Sequence, residues 1–361
     1  MWPYWVLFLI PAYWAISRLQ PIQQKLLRSE ARNWSFVWQC MFIIIVLIIG
    51  FRHEVGGDWL AYIDMLNSYT DAPTINEYEF QDPAFVLFNW MAAKTGLGIY
   101  LVNLLSAFFF TWGLIVFCRA QPRAWLALVV ATPYLITVVG MGYTRQAVAI
   151  GIAMIAMTAL ARGSILRFVL WIILAAAFHK SAIILLPMVV ISNTRRRIFT
   201  FLWVGLAGVL LFILMVQEAL SFLIGGYIED AMQSSGATIR IAMNAVPSVL
   251  FLMFRKRFQL TSEELSFWTW MSLSAILLVG LLAVSPSSTA VDRVALYWIP
   301  LQLFVLSRLP NALGRHDGKN LLWVCAVVGY SAVVHFVWLF YADTAFAWLP
   351  YQFYPWVWLW Q

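Results

Sequence analysis

An all-α protein that crosses a membrane about twelve times is what this sequence predicts. Of 361 residues, 63% are apolar and 11% charged, with a mean hydropathy of +0.82, whereas a soluble domain carries about 25% charged residues. Apolar runs suited to the roughly 30 Å hydrocarbon layer recur from one end of the chain to the other. The basic residues collect in alternate turns between those runs.

In chain order the runs place helices at roughly 2–17, 34–51, 99–118, 124–142, 143–161, 168–178, 181–193, 198–216, 239–254, 265–284, 294–308 and 320–341. The first has no basic segment before it, since Arg18 follows the apolar run, so it reads as a retained anchor, not a cleaved signal. The second ends at Arg52, where a more polar stretch, 52–98, forms an outer loop. Within that loop PAFVLFNWMAAK reads as a short helix lying in the interface, with Lys94 structural. The RAQPR turn separates the next two helices, and GYTRQ starts the fifth. Between Arg167 and Arg195, LWIILAAAFHKSAIILLPMVV is read as two short helices meeting at His179 and Lys180. Each arm spans only about 16 to 20 Å, too little to cross, which implies a cavity open to the outside. The remaining helices are bounded by RRR at 195–197, RKR at 255–257, and Arg308. No polar stretch is long enough for a second domain, so 1–361 is expected to be one multi-pass unit.

Sidedness follows from the same turns. All of the 23 Lys and Arg except Arg52, Lys94, Arg145, Lys180, Arg240 and Arg293 fall on one side, which the positive-inside rule makes cytoplasmic, so both termini lie outside. All of the 16 carboxylates except Glu30, Glu263, Glu264 and Asp317 fall on the other. The net charge of +7 is therefore a topology signal and implies no nucleic-acid partner. Cys40, Cys118 and Cys325 all lie in apolar segments, which argues against a disulfide framework or a metal cluster. The carboxylates of 54–82 lack the spacing of a calcium loop, so no metal or other cofactor is expected and activity should survive chelation.

Five outer cations stand at or beside helix ends: Arg52, Arg145, Lys180, Arg240 and Arg293, with His179 adding a sixth. Singly, each reads as a side chain snorkelling to the interface. Their company of Asp58, Asp292, Tyr143, Gln146 and Tyr297 points instead to a binding site, and a guanidinium fork suits the oxygens of a diphosphate.

The stretch GFRHEVGGDWLAY, with Arg52, Gly56, Asp58 and Tyr62, resembles the signature of the EpsG family of bacterial polysaccharide polymerases, which act like the Wzy polymerases. PAFVLFNWM, YTRQAVAIGI, FHKSAIILLP, DRVALYW and LPYQF resemble family segments in the same order, so the likeness runs from about residue 40 to 355. GGDW stands where the family often has Gly-Thr-Asp-Tyr. The resemblance implies a GT-C-like glycosyltransferase of the bacterial inner membrane, working on the periplasmic face. It would transfer a growing glycan from an undecaprenyl-diphosphate donor to a sugar hydroxyl of another lipid-linked repeat unit. Membrane lipid, a flippase and a chain-length regulator are the partners such a role implies.

On that reading Arg52, Arg145, Lys180, Arg240 and Arg293 hold the diphosphate, and Asp58 or His179 takes the acceptor's proton. Tyr62, Tyr143, Gln146 and Tyr297 are the expected glycan contacts. Competing roles are a helix cap for Asp58, a kink hydrogen bond for His179, and an interfacial belt for the terminal FAWLPYQFYPWVWLW. His335 reads as a buried core residue. An O-antigen ligase would keep the cations and differ in its acceptor, and a transporter or flippase of lipid-linked sugar is the reading from another class. A transporter often shows two similar halves, and no internal repeat is found.

Overall fold

The computed structural model describes residues 1–18, 34–70, 82–188, 234, 236–315 and 318–360. Helices α1 (Trp2–Ser17) and α2 (Phe36–Gly50) lead into strand β1 (Arg52–His53), then α3 (Trp59–Thr70) and α4 (Pro83–Thr95). Four helices follow: α5 (Gly98–Arg119), α6 (Ala124–Gly142), α7 (Thr144–Ala161) and α8 (Ile165–Phe178). A 3-10 turn at Lys180–Leu185 comes next. The later part comprises α9 (Ala237–Phe254), α10 (Ser262–Val284), α11 (Ser288–Leu313), α12 (Leu321–Tyr341), β2 (Gln352–Phe353) and α13 (Tyr354–Leu359).

Seven of the described helices, α5 to α7 and α9 to α12, are long and apolar enough to cross a membrane, and α2 and α8 are shorter apolar helices. The chain is an all-α polytopic membrane protein. The helix expected at 198–216, the RRR at 195–197 and the hairpin's second arm beyond residue 188 lie outside the described residues. Two helices start earlier than their apolar runs because polar residues begin them. Thr261 Oγ1 accepts the Glu264 N–H while Glu264 returns the bond to Thr261 N–H, a capping box. Ser287 Oγ accepts the Ala290 N–H ahead of α11.

Burial sorts the helices. The apolar windows of α6 and α7 are 94% and 89% buried, so these two form the centre, whereas that of α12 is 28% buried and its exposed side chains are apolar, as a lipid-facing helix requires. Gly113 of α5 and Gly151 of α7 let those backbones touch, because a Cβ on Gly113 would strike Gly151. Helix α6 widens to a π-helix over Thr132–Val139, beginning beside Pro133, which has no N–H to give.

The cations partition to two ends. At one, Arg123 bonds Asn311 Oδ1 (2.9 Å) and Gly318 O (3.0 Å), and Arg308 bonds Gln121 Oε1 (3.2 Å). At the other, α5 is about 30 Å away at its start, and here Tyr100 Oη meets His53 Nδ1 at 2.6 Å, close to Arg52. Segments near both termini also lie at this second end, since Tyr4 Oη donates to Trp348 O (2.6 Å).

There the segment 345–354 straps onto the loop after α2. β1 and β2 pair antiparallel, Arg52 opposite Phe353. Gly56 N–H donates to Ala347 O (2.8 Å), Tyr354 N–H to Phe51 O (2.8 Å), Tyr351 Oη to Ile48 O (2.7 Å) and Trp348 Nε1 to Thr137 O in the π stretch (2.9 Å). Gly56 has φ +110°, and a Cβ on it would strike Met141 O, so only glycine brings the loop this close to α6. The belt expectation is thus corrected for LPYQF, whose backbone and tyrosine close this strap; Trp358 and Trp360 beyond it remain exposed.

Candidate active site

The loop, the start of α7, the break after α8 and the start of α11 meet in a row of alternating charge. Arg293 begins it. Its Cζ sits 3.9 Å from the centroid of the Tyr143 ring, a cation–π contact, and its Nη2 stands 4.0 Å from Asp58 Oδ2. Asp58 also lies in the field of Arg145. Arg145 Nη1 donates to Asp82 Oδ2 at 3.0 Å. Asp82 in turn faces the break after α8, its Oδ2 3.8 Å from His179 Nδ1 and its Oδ1 accepting the Lys180 N–H at 3.2 Å.

Four members of the row, Arg293, Asp58, Arg145 and His179, are open to a ligand. Arg145 and Arg293 keep 31% and 32% of their side chains exposed, and Asp58 keeps 41%. Lys180 is half-buried. Asp58 begins α3 through its carbonyl, which accepts the Tyr62 N–H (3.1 Å), but its carboxylate accepts no hydrogen bond from any described residue. A capping role for that side chain therefore does not hold. Partial burial pushes the Asp58 carboxyl above the usual aspartate value, with Arg293 and then Arg145 pulling it back.

The other expected ligands sit behind this row. Arg52 is 1% exposed, and its fork is spent inside the protein: Nη1 on Ile49 O (2.7 Å), Nε on Val55 O (3.2 Å) and Nη2 on Thr144 Oγ1 (2.8 Å). Burial lowers its guanidinium to about 10, so it is still charged at neutral pH. Its reach toward a diphosphate is corrected accordingly: it ties the last carbonyls of α2 to the loop and to α7, which are groups a helix end leaves unpaired. Arg240 is likewise committed, clasping Asp292 at two points (Nε to Oδ1 and Nη2 to Oδ2, both 2.7 Å), with Ser234 Oγ donating to the same carboxylate.

Three of the four expected glycan contacts, Tyr62, Gln146 and Tyr297, are buried behind the row, and Tyr143 is half-buried. Tyr62 is buried, and its hydroxyl lies 3.5 Å from the Arg145 N–H that opens α7. Gln146 is buried, with Nε2 on Arg293 O (2.6 Å), and Tyr297 is buried with its hydroxyl accepting from Ser181 (3.3 Å). Tyr143 gives one ring face to Arg293. Tyr143 and Gln146 hold Arg293, Tyr62 stands at the Arg145 main chain, and Tyr297 bonds Ser181 next to Lys180.

Asp82 is the member that sequence reasoning missed. A carboxylate just before Pro83 at a helix start is the pattern of a cap, yet this side chain makes no cap bond to α4 and turns to Arg145. Among the described residues no group of His, Cys, Asp and Glu could hold a metal ion.

A polytopic membrane protein with a row of cations and carboxylates at one end is the class this geometry defines. The chain belongs to the EpsG family, whose model matches residues 35–353. No curated protein and no solved structure matches it.

Proposed function

We propose that this chain is a polysaccharide polymerase of the bacterial inner membrane, extending a glycan held on an undecaprenyl-diphosphate donor by transfer to a lipid-linked acceptor. Membership of the EpsG family supports the polymerase class. The observation that carries the chemistry is the row itself, in which Arg293 and Arg145, both about a third exposed, flank Asp58. As the anomeric carbon–oxygen bond breaks, charge grows on the departing lipid diphosphate, and fixed guanidinium forks stabilise it most when they need not reorganise. Lys180, whose main chain is tied to Asp82, would add a point charge at the His179 end of the row. Asp58 and His179 are the two groups able to take the acceptor's proton. In the same proposal the chain is one domain of twelve crossings with a GT-C-like arrangement, and the row and both termini face the periplasm.

Purified protein given lipid-linked repeat units tests the proposal. Longer glycans on lipid are expected; movement of the lipid-linked sugar across the bilayer without a new bond would make the chain a transporter. Transfer only to a lipid A core acceptor would make it a ligase.

A further inference from the structure

We infer that Asp82 is the positioning residue for His179, and that the imidazole is the base that deprotonates the acceptor hydroxyl. This rests on the polymerase reading. Asp82 is 6% exposed on its side chain, and a carboxylate so enclosed needs ionic and hydrogen-bond partners. It has three, from two other elements: Arg145 at 3.0 Å, the Lys180 N–H at 3.2 Å and His179 Nδ1 at 3.8 Å. The bond to the Lys180 main chain matters most, since it fixes the residue next to the histidine. His179 itself is extended, at φ −160° and ψ 112°, between α8 and the 3-10 turn, so its backbone cannot slide along a helix.

At 3.8 Å the Asp82 carboxylate is beyond hydrogen-bond length, but its charge on that side favours the proton on Nδ1 and leaves the lone pair on Nε2, at the far edge of the ring. The His179 side chain is 28% exposed, so part of the ring is open to an acceptor. Asp58 is placed differently. It lies in the field of Arg293 and Arg145, the cations proposed for the leaving group, while a displacing oxygen enters from the other side of the anomeric carbon. His179 stands at the opposite end of the row from Arg293, across Arg145 and Asp82.

The step balances. The acceptor O–H proton passes to His179 Nε2 as its oxygen bonds the anomeric carbon. The bond from that carbon to the diphosphate oxygen breaks, and the electron pair leaves with the lipid diphosphate. The imidazolium that results faces the Asp82 carboxylate and returns its proton to water.

The test is a double-mutant cycle on the full chain in lipid nanodiscs, with lipid-linked repeat units as substrate. His179→Asn and Asp82→Asn should each lower kcat by about 100-fold or more with donor KM nearly unchanged, the first because the base is gone and the second because an amide NH2 turned to Nδ1 favours the other tautomer. The double variant should be no slower than His179→Asn, since Asp82 then has nothing to position. Losses that multiply, or a raised donor KM with kcat intact in Asp82→Asn, would overturn the inference and make Asp82 the partner of Arg145 alone. If Asp82→Asn does not fold, ring nitrogen-15 NMR of the wild type, assigned against His179→Asn, decides the matter. The Nδ1–H tautomer is expected at neutral pH, and Nε2–H would overturn it. A wild-type chain that makes no polymer sinks the polymerase reading and the base assignment with it, whereas an active wild type with multiplying losses removes only the role of Asp82.

Discussion

Arg293 rests over the ring of Tyr143, its guanidinium carbon 3.9 Å from the ring centroid, and Gln146 holds the Arg293 carbonyl from one turn along the same helix. The arginine is therefore aimed before any ligand arrives. Arg293→Lys keeps the charge but loses the fork and weakens the stack, so kcat should fall by on the order of 100-fold while the protein inserts at normal level. Arg119→Lys, at the other end of the molecule, serves as the silent control. Polymer yield and membrane-extracted protein are measured together, and near-normal polymer from Arg293→Lys would make that arginine an interfacial cation only.

Asp58 separates a base from a countercharge. With His179 as base, Asp58→Asn removes a negative charge from beside the arginines, so donor KM should fall and turnover stay within about tenfold. Complete loss of polymer in Asp58→Asn at normal protein level would return the base to Asp58. Neither Asn nor Ala should cost stability through a lost cap, because the carboxylate makes none.

The same residue fixes a sign with pH. Its carboxyl is raised in the folded protein, so its contribution to stability is full below the ordinary aspartate value of 3.8 and is lost as pH rises through the folded value. Asp58→Asn should therefore melt no lower than the wild type at pH 7, and any advantage should shrink as the pH is brought down toward 4. Thermal melts in detergent at several pH values read this directly.

Arg52 predicts the reverse pattern from Arg293. A lysine cannot reach Ile49 O, Val55 O and Thr144 Oγ1 together, and each buried acceptor left unpaired costs about 1–3 kcal/mol. Arg52→Lys should lower protein level and melting temperature, while the folded fraction keeps its donor KM. Normal stability with a raised KM would instead put Arg52 on the substrate.

The clasp of Arg240 on Asp292 is also structural. Asp292→Asn leaves a mostly enclosed guanidinium, 15% exposed, with no counter-ion, a loss toward the low end of the about 3–5 kcal/mol for buried pairs. It should abolish accumulation of folded protein, and a stable Asp292→Asn protein that binds donor poorly would show that the pair serves the ligand.

The described spanning helices were legible because length and apolarity are properties of a contiguous run, and the break at His179 because a polar pair interrupts an apolar run there. The family likeness was legible from motif order. What a cation does was not, because its partners come from elsewhere in the chain: Arg52 finds a hydroxyl on Thr144, and Arg240 a carboxylate on Asp292. Asp82 lay hidden because its one local mark, a place just before Pro83 at a helix start, is that of a cap and says nothing of Arg145 or His179. The terminal LPYQF has the aromatic content of an interface, and only its backbone pairing with Arg52 and His53 reveals the strap.

That strap sets a timetable for biogenesis. Residues 345–354 leave the ribosome after every described spanning helix, yet they supply Ala347 O to Gly56 and a strand partner to Arg52. The loop carrying Asp58 is thus inserted early and locked late. Until the strap arrives, the nascent chain holds the Asp58 loop without the strand partner and the carbonyl that fix it, so the loop is completed only once this segment has been translated.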